Sequence, residues 1–120
     1  MIGDALPAAR VREAVGYAIA SAGIEDGHVA VAFGAPERIA ELNETWRGKP
    51  GPTDVLSFPV DEDGEAYGER ELGDVFICPE YTEDLVEAVV HGALHLIGMD
   101  HEADDGEMLA VQAEIMRWLR

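Results

Sequence analysis

The stretch from Leu85 to Gly98 most constrains how this chain can fold. Its apolar residues recur so closely that they cover most of the circumference of the helix that their spacing predicts. They are Leu85, Val86, Val89, Val90, Leu94 and Ile97. A helix with so little polar surface is expected to be central and buried. Thr82 is its expected N-cap, and Gly98 is its expected end, because glycine readily takes the left-handed conformation that turns a chain back.

The same kind of spacing predicts three further helices. A first helix begins at Pro7 and ends at Gly23, and another begins at Pro36 and ends at Gly48. A last helix can be capped by either aspartate of residues 104–105. Its apolar stripe is expected to contain Met108, Leu109, Gln112, Ile115, Met116 and Leu119.

Three runs have the composition of strands. They are Val29 to Phe33, Thr53 to Val60, and Leu72 to Cys78. Pro59 lacks a backbone N–H, so the second run is expected at a sheet edge or to end early. The acidic segment from Asp61 to Glu71 is expected to be a hairpin connection or an exposed loop. The resulting order α-β-α-β-β-α-α predicts an α/β or α+β layered fold, as one domain over residues 1–120.

Composition limits the classes of function that fit this chain. There are 25 acidic and 8 basic residues, for a net charge of −17. Such a surface repels nucleic acid and anionic membranes at long range, so any role in RNA binding must depend on a local site. Cys78 is the only cysteine, which excludes an intrachain disulfide and a cysteine-rich metal site. No apolar run approaches the ~20 residues that cross a bilayer, and the N-terminus does not resemble a signal peptide, so we expect a cytoplasmic protein with no membrane partner.

Three of the four histidines, His91, His95 and His101, fall within eleven residues. His91 and His95 are four apart, so they lie on one face of the predicted helix, where two imidazoles can share one ion. His101 follows the turn expected at Gly98 and is within reach of the same ion. Burying three imidazoles without partners would cost several kcal/mol, which favours a metal site. Three nitrogen ligands favour one zinc per chain, with nickel or copper as substitutes in vitro, and leave a fourth position that is typical of catalytic sites.

The spacing HxxxHxxGxxH is also that of the metzincin proteases, whose motif is HExxHxxGxxH. The protease uses the glutamate as general base for the zinc-bound water. Gly92 stands at that position here, which argues against peptidase chemistry.

Three separated segments each resemble a motif of one known family. Residues 91–101, HGALHLIGMDH, resemble the family signature HGxLHLxGxDH. Residues 42–49 and 52–59, LNETWRGK and PTDVLSFP, resemble LNxxYRGKDxPTDVLSFP, with Trp46 in place of the tyrosine. Residues 72–78, LGDVFIC, resemble the strand LGDIVIS. Together the three segments resemble the YbeY family of bacterial endoribonucleases. The segment between Cys78 and His91 is shorter than in typical members of that family, and the acidic charge is a further departure.

The resemblance implies a compact zincin-like domain, with a small mixed sheet packed against helices and a central helix that carries two metal-ligating histidines. It implies that His91, His95 and His101 hold zinc and that Arg47 is the functionally important arginine. It also implies cleavage of single-stranded RNA, maturation of the 16S rRNA 3′ end and ribosome quality control. The implied partners are rRNA and the ribosome or its small subunit with associated factors.

Arg47 and Lys49 form a close basic pair in a glycine- and proline-rich stretch. A guanidinium can hold a phosphate through two hydrogen bonds and stabilise the charge of a phosphoryl transition state. The alternative is that Arg47 only neutralises the end of its helix. Lys49 and Ser57 are candidate substrate contacts, and Ser57 has no activating partner that would make it a nucleophile.

Four acidic residues could orient the histidines or act as bases, with water or the RNA 2′-hydroxyl as nucleophile. They are Asp54, Asp74, Asp100 and Glu102. For each of them a surface or turn role is an equal alternative. His28 is interpreted as a residue at a strand edge. Two other functions remain open: a zinc hydrolase of another substrate, such as a peptidase or amidase, and a ribosome-associated protein with a structural metal.

Overall fold

The computed structural model describes residues 6–24, 27–59, 70–100 and 103–119. In these ranges the elements follow the predicted order. The helices are α1 (Ala8–Ala20), α2 (Pro36–Arg47), α3 (Leu85–Leu96) and α4 (Glu107–Leu119). The strands are β1 (Gly27–Phe33), β2 (Val55–Pro59) and β3 (Arg70–Ile77), and a 3-10 turn, Pro79–Tyr81, joins β3 to α3.

The three strands form a mixed sheet in the order β1-β3-β2. The central strand β3 runs parallel to β1, with Val31 opposite Val75, and antiparallel to β2, with Ser57 opposite Val75. Pro59 therefore lies in an edge strand, where a missing N–H costs no ladder hydrogen bond. His28 lies in the other edge strand, as predicted. The predicted fold class, a small mixed sheet packed against helices, is confirmed.

Alternation along β3 separates two apolar layers. Val75 and Ile77 point into the main core with α1, α3 and α4, whereas Phe76 packs in a smaller cluster under α2. That smaller cluster is built from Ile39, Leu56 and Cys78, with Leu42, Phe58 and Phe76 packed against it. The two layers place α3 on one face of the sheet and α2 on the other.

The α3 helix is the centre of the main core, as its apolar circumference predicts. Val89, Val90, Ala93 and Leu94 are each 0 % exposed. Full burial of an aliphatic side chain of valine or leucine size contributes about 1.5–3 kcal/mol, so these side chains hold α3 firmly against the sheet and its flanking helices. Its rigid position fixes the histidines that it carries.

Several predicted boundaries differ from the structure. The N-cap of α3 is Asp84, whose carboxylate accepts a hydrogen bond from the Glu87 N–H at 3.1 Å. The predicted cap, Thr82, is wrong because its hydroxyl instead donates to the Cys78 carbonyl at 2.7 Å and closes the 3-10 turn. Pro7 is the residue before the first helical turn, and β1 starts two residues earlier than predicted because its first residues pair with the start of β3.

The predicted loop at 61–71 and the predicted cap of the last helix have different outcomes. Residues 70 and 71 belong to β3, so the loop prediction is wrong there, and residues 60–69 lie outside the described residues.

Asp104 stabilises the start of α4, since its carboxylate accepts from the N–H groups of Gly106 at 2.8 Å and Met108 at 2.9 Å. In the described ranges, no helix is both long and apolar enough to cross a membrane.

Candidate active site

The α3 helix presents His91 and His95 side by side. Their ring centroids are 4.8 Å apart with an angle of 80° between the ring planes. Both residues are half-buried, whereas the three residues between them are buried. The pair therefore occupies the one stripe of α3 in this region that the rest of the core leaves accessible.

One ring nitrogen of each histidine faces an oxygen atom. Nδ1 of His91 is 2.8 Å from Oε1 of Gln112 in α4, and Nδ1 of His95 is 3.0 Å from the Met99 carbonyl oxygen. A carbonyl oxygen can only accept, so Nδ1 donates in both contacts and the ring lone pair lies on Nε2. Histidines that bind metal through Nε2 usually have this arrangement, because the partner fixes the ring orientation and the tautomer.

The turn at Gly98 brings Met99 back to the helix. Gly98 has a φ of +98°, and its N–H donates to the His95 carbonyl at 3.1 Å. The next N–H, that of Met99, donates to the Leu94 carbonyl at 3.1 Å, which completes a Schellman-type helix end. The predicted helix end at Gly98 is confirmed, and it positions the carbonyl that orients His95.

The third predicted ligand, His101, lies outside the described residues. Among the residues that are described, no three histidine, cysteine or carboxylate side chains are grouped to hold a metal ion. The two described imidazoles do fit a metal site in donor chemistry and in tautomer, because each keeps its Nδ1 bonded to an oxygen and its lone pair on Nε2.

A cleft of about 700 Å³ brings His91 and His95 together with Arg47 and Ser57. Its floor includes the β2 residues on the α3 side of the sheet, and its other walls come from the end of α2 and the turn after α3. The lining residues are Arg47, Thr53, Asp54, Val55, Leu56, Ser57, Pro59, His91, His95, Gly98, Met99 and Asp100. Arg47 is the only arginine or lysine among them.

The three candidate substrate contacts, Arg47, Ser57 and Lys49, occupy different positions relative to the cleft. Arg47 is exposed at the last residue of α2 and forms no ion pair with any described residue. Ser57 faces α3, and its hydroxyl donates to the Gly92 carbonyl at 2.9 Å, which ties the edge strand to the helix. Lys49 is exposed two residues beyond Arg47 and does not line the cleft.

Gly92 faces the sheet at a point where no side chain fits. A Cβ atom there would lie 2.5 Å from Cγ1 of Val75 and 3.2 Å from Oγ of Ser57. Val75 is 1 % exposed in the central strand, so it has little room to move. A glutamate at residue 92 would be forced into this contact, which argues against the metzincin type of general base in this fold.

The four acidic candidates separate in space. Asp54 and Asp100 line the cleft, whereas Glu102 lies outside the described residues. Asp74 is exposed and shares the face of β3 with Phe76, on the α2 side of the sheet, so a surface role fits it and a role beside the histidines does not. The carboxylate of Asp54 accepts from the Val55 N–H at 2.8 Å, which holds it at the start of β2.

The oxygens that face the histidines were missed by sequence reasoning. Gln112 is 21 residues from His91, and the Met99 contact is made by a main-chain carbonyl, which no residue type reveals. One signal was available for Gln112, because it is a polar residue inside an otherwise apolar helical stripe.

A second cavity of about 580 Å³ meets the cleft at Asp54, Val55 and His91. Among the described residues, four carboxylates line it, those of Asp54, Glu83, Asp84 and Glu87. The exposed residues Tyr81 and Leu109 form apolar parts of its wall. Charge therefore differs along the site: an arginine lies at the α2 end, and carboxylates predominate beside the start of α3.

Comparisons with known proteins agree with this architecture. The sequence model of the family described as endoribonuclease YbeY matches residues 8–120. An endoribonuclease YbeY from Persephonella marina is 37 % identical over 125 residues, covering 92 % of this chain and 82 % of the relative. One from Rubrobacter xylanophilus is 50 % identical over 97 residues, covering 78 % of this chain and 69 % of the relative.

A solved structure supports the same conclusion about the fold. The solution structure of a protein from Thermotoga maritima superposes with a TM-score of 0.56 at 28 % identity, covering 95 % of this chain and 84 % of that one. The chain has the mixed α/β fold of an RNA-cleaving class of hydrolases. It belongs to the endoribonuclease YbeY family, and the resemblance carried by the three sequence motifs is confirmed.

Proposed function

We propose that this protein is a zinc-dependent endoribonuclease that cuts single-stranded RNA in the cleft between α2, β2 and α3. We further propose that it acts in the cytoplasm on the 3′ end of 16S rRNA and in ribosome quality control, with the small subunit as partner. The observation that carries the proposal is the shared cleft of Arg47, His91 and His95, in a member of an endoribonuclease family.

The residues of the cleft have distinct proposed roles. His91, His95 and His101 would hold the zinc, with Gln112 and the Met99 carbonyl orienting the first two rings through Nδ1. A zinc ion bound there would supply Lewis acidity toward the reacting phosphate. Arg47 would donate two hydrogen bonds to the phosphate oxygens, and no described residue forms an ion pair that would compete for these donors.

Asp54 and Asp100 are the described carboxylates in position to accept a proton in the cleft. Ser57 is proposed to contact an RNA 2′-hydroxyl, which can donate to the lone pairs of the serine oxygen, since the serine proton is donated to Gly92. Lys49 is proposed to bind a phosphate outside the cleft. A peptidase or amidase function is less well supported, because Gly92 and its contact with Val75 leave no place for the glutamate base.

The metal claim is tested by metal analysis of the purified protein and of histidine variants. About one zinc per chain is expected, and His95→Ala should lose it. His28→Ala is the matched control, because His28 lies in β1 and does not line the cleft, so it should retain the metal. A protein that holds no zinc, and whose melting temperature does not change when zinc is added, would contradict the proposal.

The role of Arg47 is tested by RNA cleavage on a denaturing gel. Arg47→Ala should reduce cleavage about 10²–10³-fold, the range for removing a stabiliser of transition-state charge, with an unchanged melting temperature. Arg38→Ala is the matched control, because Arg38 is exposed on the same helix but pairs with Glu41. Full activity of Arg47→Ala would remove this arginine from the mechanism, and unfolding would support the helix-end role instead.

A further inference from the structure

Trp46 is the exposed aromatic residue beside the proposed catalytic arginine. Its side chain is 68 % exposed in the last turn of α2. The ring makes a T-shaped contact with Phe58 of β2, with centroids 6.3 Å apart and 68° between the planes. The contact holds the indole at the edge of the sheet and leaves most of its surface to solvent, which is costly for so large an apolar group unless it has a partner.

The cations next to Trp46 lack the ion pairs that several arginines of the described chain form. Arg10, Arg38 and Arg117 each pair with a glutamate three residues away, on their own helices. Arg12 in α1, and Arg47 and Lys49 beside Trp46, form no ion pair with a described residue, although the chain has 25 acidic residues. The segment 46–49 thus combines an exposed aromatic ring with two unpaired cations, which is the combination that binds single-stranded nucleic acid.

The charge along the cleft gives the bound strand a direction. The second cavity, on the other side of His91, is lined by four carboxylates that repel phosphates. Among the residues that the structure describes, the cleft itself is lined by two carboxylates, those of Asp54 and Asp100, and by one arginine, Arg47. Carboxylates are therefore more numerous beside α3's N-terminal end, and a strand whose phosphate lies at Arg47 is favoured to continue past Lys49 and Trp46 instead.

We propose that Trp46 is a stacking platform for a nucleobase of the single-stranded RNA, next to the nucleotide whose phosphate contacts Arg47. The inference rests on the proposed function, and it adds a binding subsite outside the cleft. Because every base has a π-face, this subsite accepts any base and selects for unpaired strands. Trp46 acts as a positioning residue, so its loss should raise KM for RNA more than it lowers kcat.

The two tryptophans of the chain provide a matched experiment. Trp118 is 67 % exposed in α4 and lines neither cavity. The protein with Trp118→Phe keeps Trp46 as its only indole, and the protein with Trp46→Phe keeps only Trp118. Titration with a mixed-sequence oligoribonucleotide, methylated at its 2′-oxygens so that these cannot attack the phosphate, should quench the fluorescence of the first protein and leave the second nearly unchanged.

Affinity measurements separate stacking from charge. Trp46→Ala should bind the oligonucleotide about 10-fold to 100-fold more weakly, the range for losing one base–aromatic stack, whereas Trp118→Ala should bind as the unmodified protein does. An abasic strand with the same sugar-phosphate backbone should bind Trp46→Ala and the unmodified protein equally. Trp46→Tyr should recover most of the loss of RNA affinity. If the indole had only a structural role at Phe58, Trp46→Ala would also bind the abasic strand more weakly than the unmodified protein does.

Several outcomes would overturn the inference. Equal RNA affinity of Trp46→Ala and Trp118→Ala would do so, while continued cleavage by both would leave the proposed function intact. Loss of small-subunit association by Trp46→Ala without loss of oligonucleotide affinity would make the indole a protein contact instead. If the unmodified protein neither binds nor cuts single-stranded RNA, the proposed function itself fails.

Discussion

Replacing Gly98 with alanine tests how the helix end supports the proposed metal site. Gly98 has a φ of +98°, and a Cβ atom there would meet no other atom within 4 Å. The cost of Gly98→Ala therefore comes from the backbone conformation alone and is about 1–2 kcal/mol for a side chain in the left-handed region. At about 4 °C per kcal/mol for a domain of this size, the melting temperature should fall by about 4–8 °C.

The same substitution should weaken metal binding. The turn at Gly98 returns the Met99 carbonyl to Nδ1 of His95 at 3.0 Å, and strain at residue 98 shifts that carbonyl. Loss of a partner that orients a metal-binding histidine reduces metal affinity about 10–100-fold. Thermal melting gives the first quantity, and competition for zinc with a chromogenic chelator gives the second.

Gly23→Ala is the matched control for this prediction. Gly23 has a φ of +78° with open space around it, and the Ile24 N–H donates to the Ile19 carbonyl as Met99 does to Leu94. It should lower the melting temperature by a similar amount and leave zinc affinity unchanged. Equal zinc affinity of the two variants would refute the link between the turn and His95, and an unchanged melting temperature for Gly98→Ala would refute the strain argument.

Three further outcomes are expected. Gln112→Leu should weaken zinc binding about 10–100-fold, whereas Gln112→Glu should largely retain it because it keeps an acceptor for Nδ1 of His91. Equal zinc affinities of the two variants would contradict the orienting role of Gln112. Gly92→Ala should lower the free energy of unfolding by about 1–3 kcal/mol through overpacking against Val75, offset by about 1 kcal/mol of improved helix propensity. In a double-mutant cycle measured by denaturant unfolding, Val75→Ala should relieve the clash, and strictly additive effects of the two substitutions would refute the overpacking. With a net charge of −17, the melting temperature should rise between about 50 mM and 2 M KCl, because salt screens the repulsion between carboxylates. A plot of log RNA affinity against log salt concentration should have a shallow slope of about −1.4, as for two phosphate contacts. A steep fall of both the melting temperature and the affinity would contradict this and mean a larger basic surface.

The elements that sequence predicted well are those whose signals are local. The central helix, its two histidines and its end at Gly98 follow from side-chain spacing and from one residue type, so the structure reproduces them. The N-cap was wrong because Thr82 and Asp84 are both good caps, and the choice depended on the Cys78 carbonyl taking the threonine hydroxyl. Local preference ranks such candidates equally, whereas the 3-10 turn decides between them.

The sequence by itself determined which residues belong to the proposed chemistry: the histidines at helical spacing, the arginine at the end of α2 and the glycine at residue 92. Only the tertiary structure decided how they are arranged. It brought Arg47 into one cleft with the histidines of α3, put Asp74 on the opposite face of the sheet, and brought Gln112 to His91 from 21 residues away. The physical reason is that spacing along one helix or strand is set by backbone geometry, whereas contacts between elements depend on which faces pack together to bury the apolar core.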